Sequence, residues 1–140
     1  MNRSRLWLIV PLWLLLASDI VMTLAGQPAA YWSGDYQLAF EGNSLAYLLL
    51  GRGPWLFAGL AVLWAMLLGV MIAIVPHKLA FGLAVFITIA HAMGGATWLA
   101  HLGGWGWSLA VMYLFVAAKI SEGCWTKSAC MQIAGKIKVT

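Results

Sequence analysis

The chain has 140 residues, 64% of them hydrophobic and only 9% charged, with a mean hydropathy of +0.91 and a net charge of +4. Soluble domains carry roughly 25% charged residues, so a water-soluble globule is excluded and one integral membrane bundle is expected. The positive charge is therefore read through membrane topology, and no basic patch interleaved with exposed aromatics marks a nucleic-acid surface.

Residues 6–26 form the first apolar run, long enough for a helix that crosses a bilayer core of about 20 residues. It exceeds the apolar stretch of about 7–15 residues found in a cleavable signal, and it is expected to remain as a span. Pro11 lies inside it, where neighbouring helices can accommodate the lost hydrogen bond. Its one charged residue is Asp19. An ionisable side chain at membrane depth costs at least about 2.5 kcal/mol on insertion scales, so it faces a protein interior and has a partner.

The loop 27–53 follows. Its stretch Leu45–Leu50 reads as a short interfacial helix, capped by Asn43 or Ser44 through their side-chain oxygens. Gly51, Gly53 and Pro54 end that helix and start the second span, 54–75. This span carries Ala61, Ala65, Gly69 and Ala73 at successive i, i+4 positions, a small-residue stripe that lets another helix approach closely. The stripe would serve packing within the chain, self-association or other membrane subunits.

From Leu79 to Ala118 there is no Asp, Glu, Lys or Arg. One helix of that length would be about 60 Å long, twice the membrane core. The run must fold back, and Gly103, Gly104 and Gly106 provide the hinge. The third span is thus 79–102 and the fourth 105–120, followed by a basic tail, 121–140, on the inner leaflet. Cys124 and Cys130 lie in that tail, match no zinc or redox spacing, and are expected as free thiols.

Arg3, Arg5, Lys78, Lys119, Lys127, Lys136 and Lys138 fall on one side of this arrangement and only Arg52 on the other. The positive-inside rule then places both termini in the cytoplasm. The expected fold is all-α, a four-helix bundle in a prokaryotic inner membrane. Tyr31, Trp32, Tyr36, Trp55, Trp98, Trp105 and Trp107 form the outer aromatic belt, with Trp7 and Trp125 near the inner one.

Depth brings the polar residues together. At 1.5 Å per residue, Asp19 lies about 20 Å and His91 about 18 Å from the inner ends of their spans, and both spans run the same way. Thr23 is one turn above Asp19. His101 tops the third span with Trp98 below it, and Glu41 and Asn43 hang from the outer loop. Asp19, Thr23, Glu41, Asn43, His91, Trp98 and His101 are therefore the candidate residues of an outward-opening pocket, with Asp19–His91 pairing among the hydrogen bonds expected.

Three chemistries suit such a set. Asp19, Glu41, His91 and His101 are the residue types of a divalent metal site, although their spacing is no motif. An imidazole titrates near neutrality, which suits proton or ion handling. Haem is disfavoured, because His91 and His101 share one helix and His77 is on the other side. Against all three stands a purely structural role in helix–helix hydrogen bonding. No Gly-x-Ser-x-Gly, His-Glu-x-x-His or phosphate loop is present. The leading expectation is a non-enzymatic protein binding a small ligand, a cation or a partner. The alternatives are a metal-dependent intramembrane enzyme and an accessory subunit of a larger complex.

Over residues 12–75, Asp19-Ile20-Val21-Met22-Thr23, Glu41-Gly42-Asn43-Ser44 and Gly53-Pro54-Trp55-Leu56-Phe57 resemble small prokaryotic multi-spanning proteins grouped as a domain of unknown function. The shared pattern is Asp-x-x-x-Thr, then Glu-x-Asn-Pro and a short apolar helix. Ser44 stands where the pattern has Pro, and Ala61 or a neighbour where a Lys is expected. The resemblance implies that Asp19, Thr23, Glu41 and Asn43 act as one site, and it implies no activity.

Overall fold

A computed structural model gives the fold and describes residues 3–137; Lys138, one of the basic residues used for orientation, lies outside them. All regular structure among the described residues is helical. The helices are α1 (Arg3–Ala25), α2 (Ala29–Trp32), α3 (Ser44–Leu50), α4 (Pro54–Ile74), α5 (His77–Ala100) and α6 (Gly106–Ile137), with a 3-10 turn at Tyr36–Leu38. α1, α4, α5 and the stretch Gly106–Ala134 of α6 are long and apolar enough to cross a membrane.

Local chemistry sets the boundaries. Asn43 caps α3, its side chain accepting from the N–H groups of Leu45 and Ala46, which satisfies two orphan donors of the first turn. Gly53 takes φ 119° and Pro54 follows as the first residue of α4, the place where a helix loses nothing by the missing N–H. Val75 is extended ahead of Pro76, as the steric demand of proline requires, and α5 starts at once. Gly103 at φ 82° turns the chain between α5 and α6.

α1 is the central helix and packs against α4, α5 and α6, while α5 also packs against α4 and α6. Leu8, Ile9, Leu12 and Leu16 of α1 bury themselves against Leu68 and Ile72 of α4 and Ala80 and Ala84 of α5. Leu15, Ala92 and Ala117 join α1, α5 and α6. Ser18 Oγ and Tyr113 OH meet at 2.6 Å between α1 and α6, and Ser18 donates to the Leu15 carbonyl, so the tyrosine is the donor. Arg5 Nη1 donates to the carbonyls of Ile72, Ala73 and Val75 at 2.6–2.9 Å. A cation thus sits on the negative end of α4.

The small-residue stripe of α4 is engaged within the chain. The Trp13 indole donates to the Ala65 carbonyl at 2.9 Å, and its ring lies where a side chain on Gly69 would be. Ala73 gives its carbonyl to Arg5, and Ala61 lines a cavity described below.

Two features differ from the sequence expectation. The fourth helix does not end near residue 120 but runs to Ile137. Ala117, Ser121, Cys124 and Ser128 recur at helical spacing and are buried. Ser121 donates to the Ala117 carbonyl, and Ser128 donates to the Ser4 carbonyl at 2.7 Å. This inward face carries the packing past the charged pair Lys119–Glu122, which lies outside. Near the same end Lys127 sits 4.5 Å above the Trp7 ring. The second difference is Tyr31, which is fully buried rather than a member of an interfacial belt. It packs with Ala39, Leu50 and Phe57 and donates to the Leu50 carbonyl; burial holds its hydroxyl above the usual tyrosine range.

Candidate functional site

The half of the bundle away from Arg5 holds open space beside the Tyr31 cluster. A cavity of about 660 Å³ is lined there by residues of α1, α3, α4 and α5. Interior voids larger than a water molecule are few in a close-packed protein, so a space of this size beside polar groups is a candidate site.

Its floor is a pair. Asp19 Oδ2 and His91 Nδ1 lie 2.8 Å apart, joining α1 to α5. The side chains are 19% and 23% exposed respectively, so the pair is sheltered yet open to the cavity. In a neutral imidazole, an Nδ1–H that donates to the carboxylate leaves the lone pair on Nε2. Nε2 makes no hydrogen bond among the described residues. Gly94 permits this geometry, because a Cβ there would lie 2.6 Å from both Asp19 carboxylate oxygens.

The other candidates surround the pair. Thr23 and Trp98 line the cavity, and Glu41 and Asn43 form its roof. Glu41 accepts the Asn43 N–H at 2.8 Å, which fixes the turn that presents both. A second cavity, of about 590 Å³, adjoins the first and shares Glu41, Asn43, Gly94, Thr97 and Trp98 with it; His101 belongs to this one. His101 Nδ1 donates to the Thr97 carbonyl at 2.6 Å, and its ring packs on Phe40.

The expected metal set is not gathered. Among the described residues no three His, Cys, Asp or Glu side chains converge on a point that could hold an ion. Glu41 is turned onto its own loop and His101 onto its own helix, which leaves Asp19 and His91 as a pair. Cys124 is buried, Cys130 is exposed, and both are free thiols.

Several residues that build the site carry no functional signature in the sequence. Gln27 is buried and its amide spans a gap in the chain. Nε2 donates to the Thr23 and Phe40 carbonyls, and Oε1 accepts the Phe40 N–H at 2.8 Å. This clamp brings Phe40 and Glu41 down over the cavity. The only hint was a polar residue placed directly after the first span, at the Gly-Gln-Pro turn. The walls are Leu16, Ile20, Leu49, Phe57, Leu60 and Trp64, which as sequence are ordinary membrane-span residues.

In comparisons with known proteins the chain matches no family model, no curated protein and no solved structure.

Proposed function

We propose that the protein is a multi-pass ligand-binding protein of a prokaryotic inner membrane, with both termini cytoplasmic and the Asp19–His91 cavity in the outer half of the bilayer. The Lys and Arg distribution supports this orientation, and Arg5, Lys78 and Lys127 belong to one end of the bundle. In this reading α3 lies in the outer interface as a lid helix. The resemblance to the domain-of-unknown-function group enters as support for treating Asp19, Thr23, Glu41 and Asn43 as one site.

The observation that carries the reading is the Asp19–His91 hydrogen bond at the floor of an open cavity. A pair that served only to join α1 and α5 would be covered by packing, since buried polar groups in spans are worth most when nothing competes for them. Here both partners keep a free edge. The lining of both cavities contains two carboxylates and no Lys or Arg, so the ligand brings positive charge or hydrogen-bond donors.

The test is a thermal-shift screen of purified protein against small cations and amines, run beside Asp19→Asn. A ligand that raises the melting temperature of the wild type and leaves the variant unmoved supports the reading; equal shifts in both sink it. A second reading is an intramembrane enzyme in which His91 acts as a general base. It is favoured by the free Nε2 of an imidazole held by a carboxylate, the arrangement that fixes a tautomer for proton abstraction.

A further inference from the structure

On one side the cavity is lined by residues that are also exposed on the outside of the bundle. Its outer wall on α4 is formed by Leu60 and Trp64, which are 38% and 47% exposed, and the facing lip on α5 is Ala90, also exposed. These residues lie mid-helix, in segments long and apolar enough to cross a membrane, so what they face is hydrocarbon rather than water. Beside Leu60 and Trp64 the lining here includes the small residues Ala61 and Ala90, and Gly94 lies one turn further along α5.

The chemistry inside is mixed. The lining is apolar at Leu16, Ile20, Leu49, Phe57 and Leu60 and polar at Asp19, His91, Thr23 and Glu41. Two indoles, Trp64 and Trp98, also line it, and aromatic faces attract cations, most strongly where water is excluded. A bare ion needs neither this volume nor these walls. A phosphate or carboxylate head would meet two carboxylates and no cation.

We infer that the ligand is a single-chain amphiphile with a cationic amine head, entering from the bilayer between α4 and α5. The amine binds Asp19 under Glu41, with Trp64 and Trp98 flanking it, and the tail leaves past Leu60 and Ala90 into the hydrocarbon. This inference rests on the cavity being a ligand site, as proposed above.

Photolabelling tests it. The full-length protein is placed in phosphatidylcholine nanodiscs with a dodecylamine carrying a terminal diazirine. Labelling is competed with unlabelled dodecylamine, butylamine, dodecanol and dodecyl phosphate. The expected result is competition by dodecylamine at a concentration at least tenfold below that of the other three. Labelling should also fall at least tenfold in Asp19→Asn and in Ala90→Trp, which narrows the entry. Leu60→Trp narrows it from the α4 side and replaces Ala90→Trp if that chain does not fold.

Butylamine competing as well as dodecylamine would overturn the amphiphile and leave a small-cation site. Dodecanol or dodecyl phosphate competing equally would overturn the cationic head. Full labelling in both Ala90→Trp and Leu60→Trp would overturn lateral entry. Labelling that no competitor reduces and that Asp19→Asn leaves unchanged would overturn the amphiphile and the ligand site together.

Discussion

Gly94 leaves room for the Asp19 carboxylate, and this close approach makes the residue scale directly testable. Gly94→Ala drives a methyl group into both carboxylate oxygens and should break the bond to His91. Overpacking of this kind costs about 1–3 kcal/mol. Gly82, on the same helix with nothing near it, is the control, and there alanine should stabilise by up to about 1 kcal/mol through helix propensity. Melting temperatures in one detergent compare the two, and a Gly94→Ala protein as stable as Gly82→Ala refutes the packing argument. The pair itself is tested by a double-mutant cycle. Asp19→Asn and His91→Ala should be coupled by about 0.5–3 kcal/mol, and strict additivity removes the interaction. At this scale the sequence was informative wherever a residue broke the rule of its surroundings. Asp19 and His91 stood out because an apolar span does not tolerate them without reason. Gln27 and Gly94 did not, since a polar loop residue and a helical glycine break no rule until their neighbours are known.

Elements are held by their ends. Arg5 binds three carbonyls at the end of α4, so Arg5→Ala should destabilise by about 1.5–3 kcal/mol, the range for hydrogen bonds to a charged group. Arg5→Lys should recover part of that through charge alone. Unfolding in a denaturing detergent measures both, and an unchanged midpoint for Arg5→Ala contradicts the cap. At the opposite end of α4, Asn43 caps α3 and lines the roof. Asn43→Ala should cost about 1 kcal/mol and speed proteolysis in the segment 33–50 before it affects the bundle. Gln27→Ala should do the same, because it releases Phe40. Helix starts were legible in Asn43, Pro54 and the Gly-rich turn at 103–106, where backbone chemistry leaves few choices. The end of α6 was not. Its charged residues read as a basic tail on the inner leaflet, whereas the buried face that extends the helix is a spacing of small residues, alanine, serine and cysteine, that hydropathy barely registers.

The whole molecule has two unlike halves. Toward Arg5 it is a packed three-way contact of α1, α4 and α5. Toward Asn43 a small buried cluster around Tyr31 lies beside an open cavity. Four long apolar segments could be counted in the sequence because lipid imposes length and composition on every span. A polar pocket could be expected from the depths of Asp19 and His91, but its volume and apolar walls could not, since ordinary span residues form them. Orientation is tested by cysteine accessibility in a background without Cys124 and Cys130. An impermeant maleimide added to intact cells should label Ser33→Cys, with the outer membrane permeabilised where there is one, and should reach Lys78→Cys only after lysis. The reverse pattern inverts the topology and turns the cavity toward the cytoplasm.

Ser18 and Asp19 are neighbours in sequence, so their side chains leave α1 about 100° apart. One is tied to Tyr113 on α6 and the other to His91 on α5. Two ties at different bearings fix the angle of a shaft. Whatever draws Asp19 away from His91 removes one of them, and the angle is then kept by Ser18 together with Trp13 and Arg5, which tie α1 to α4.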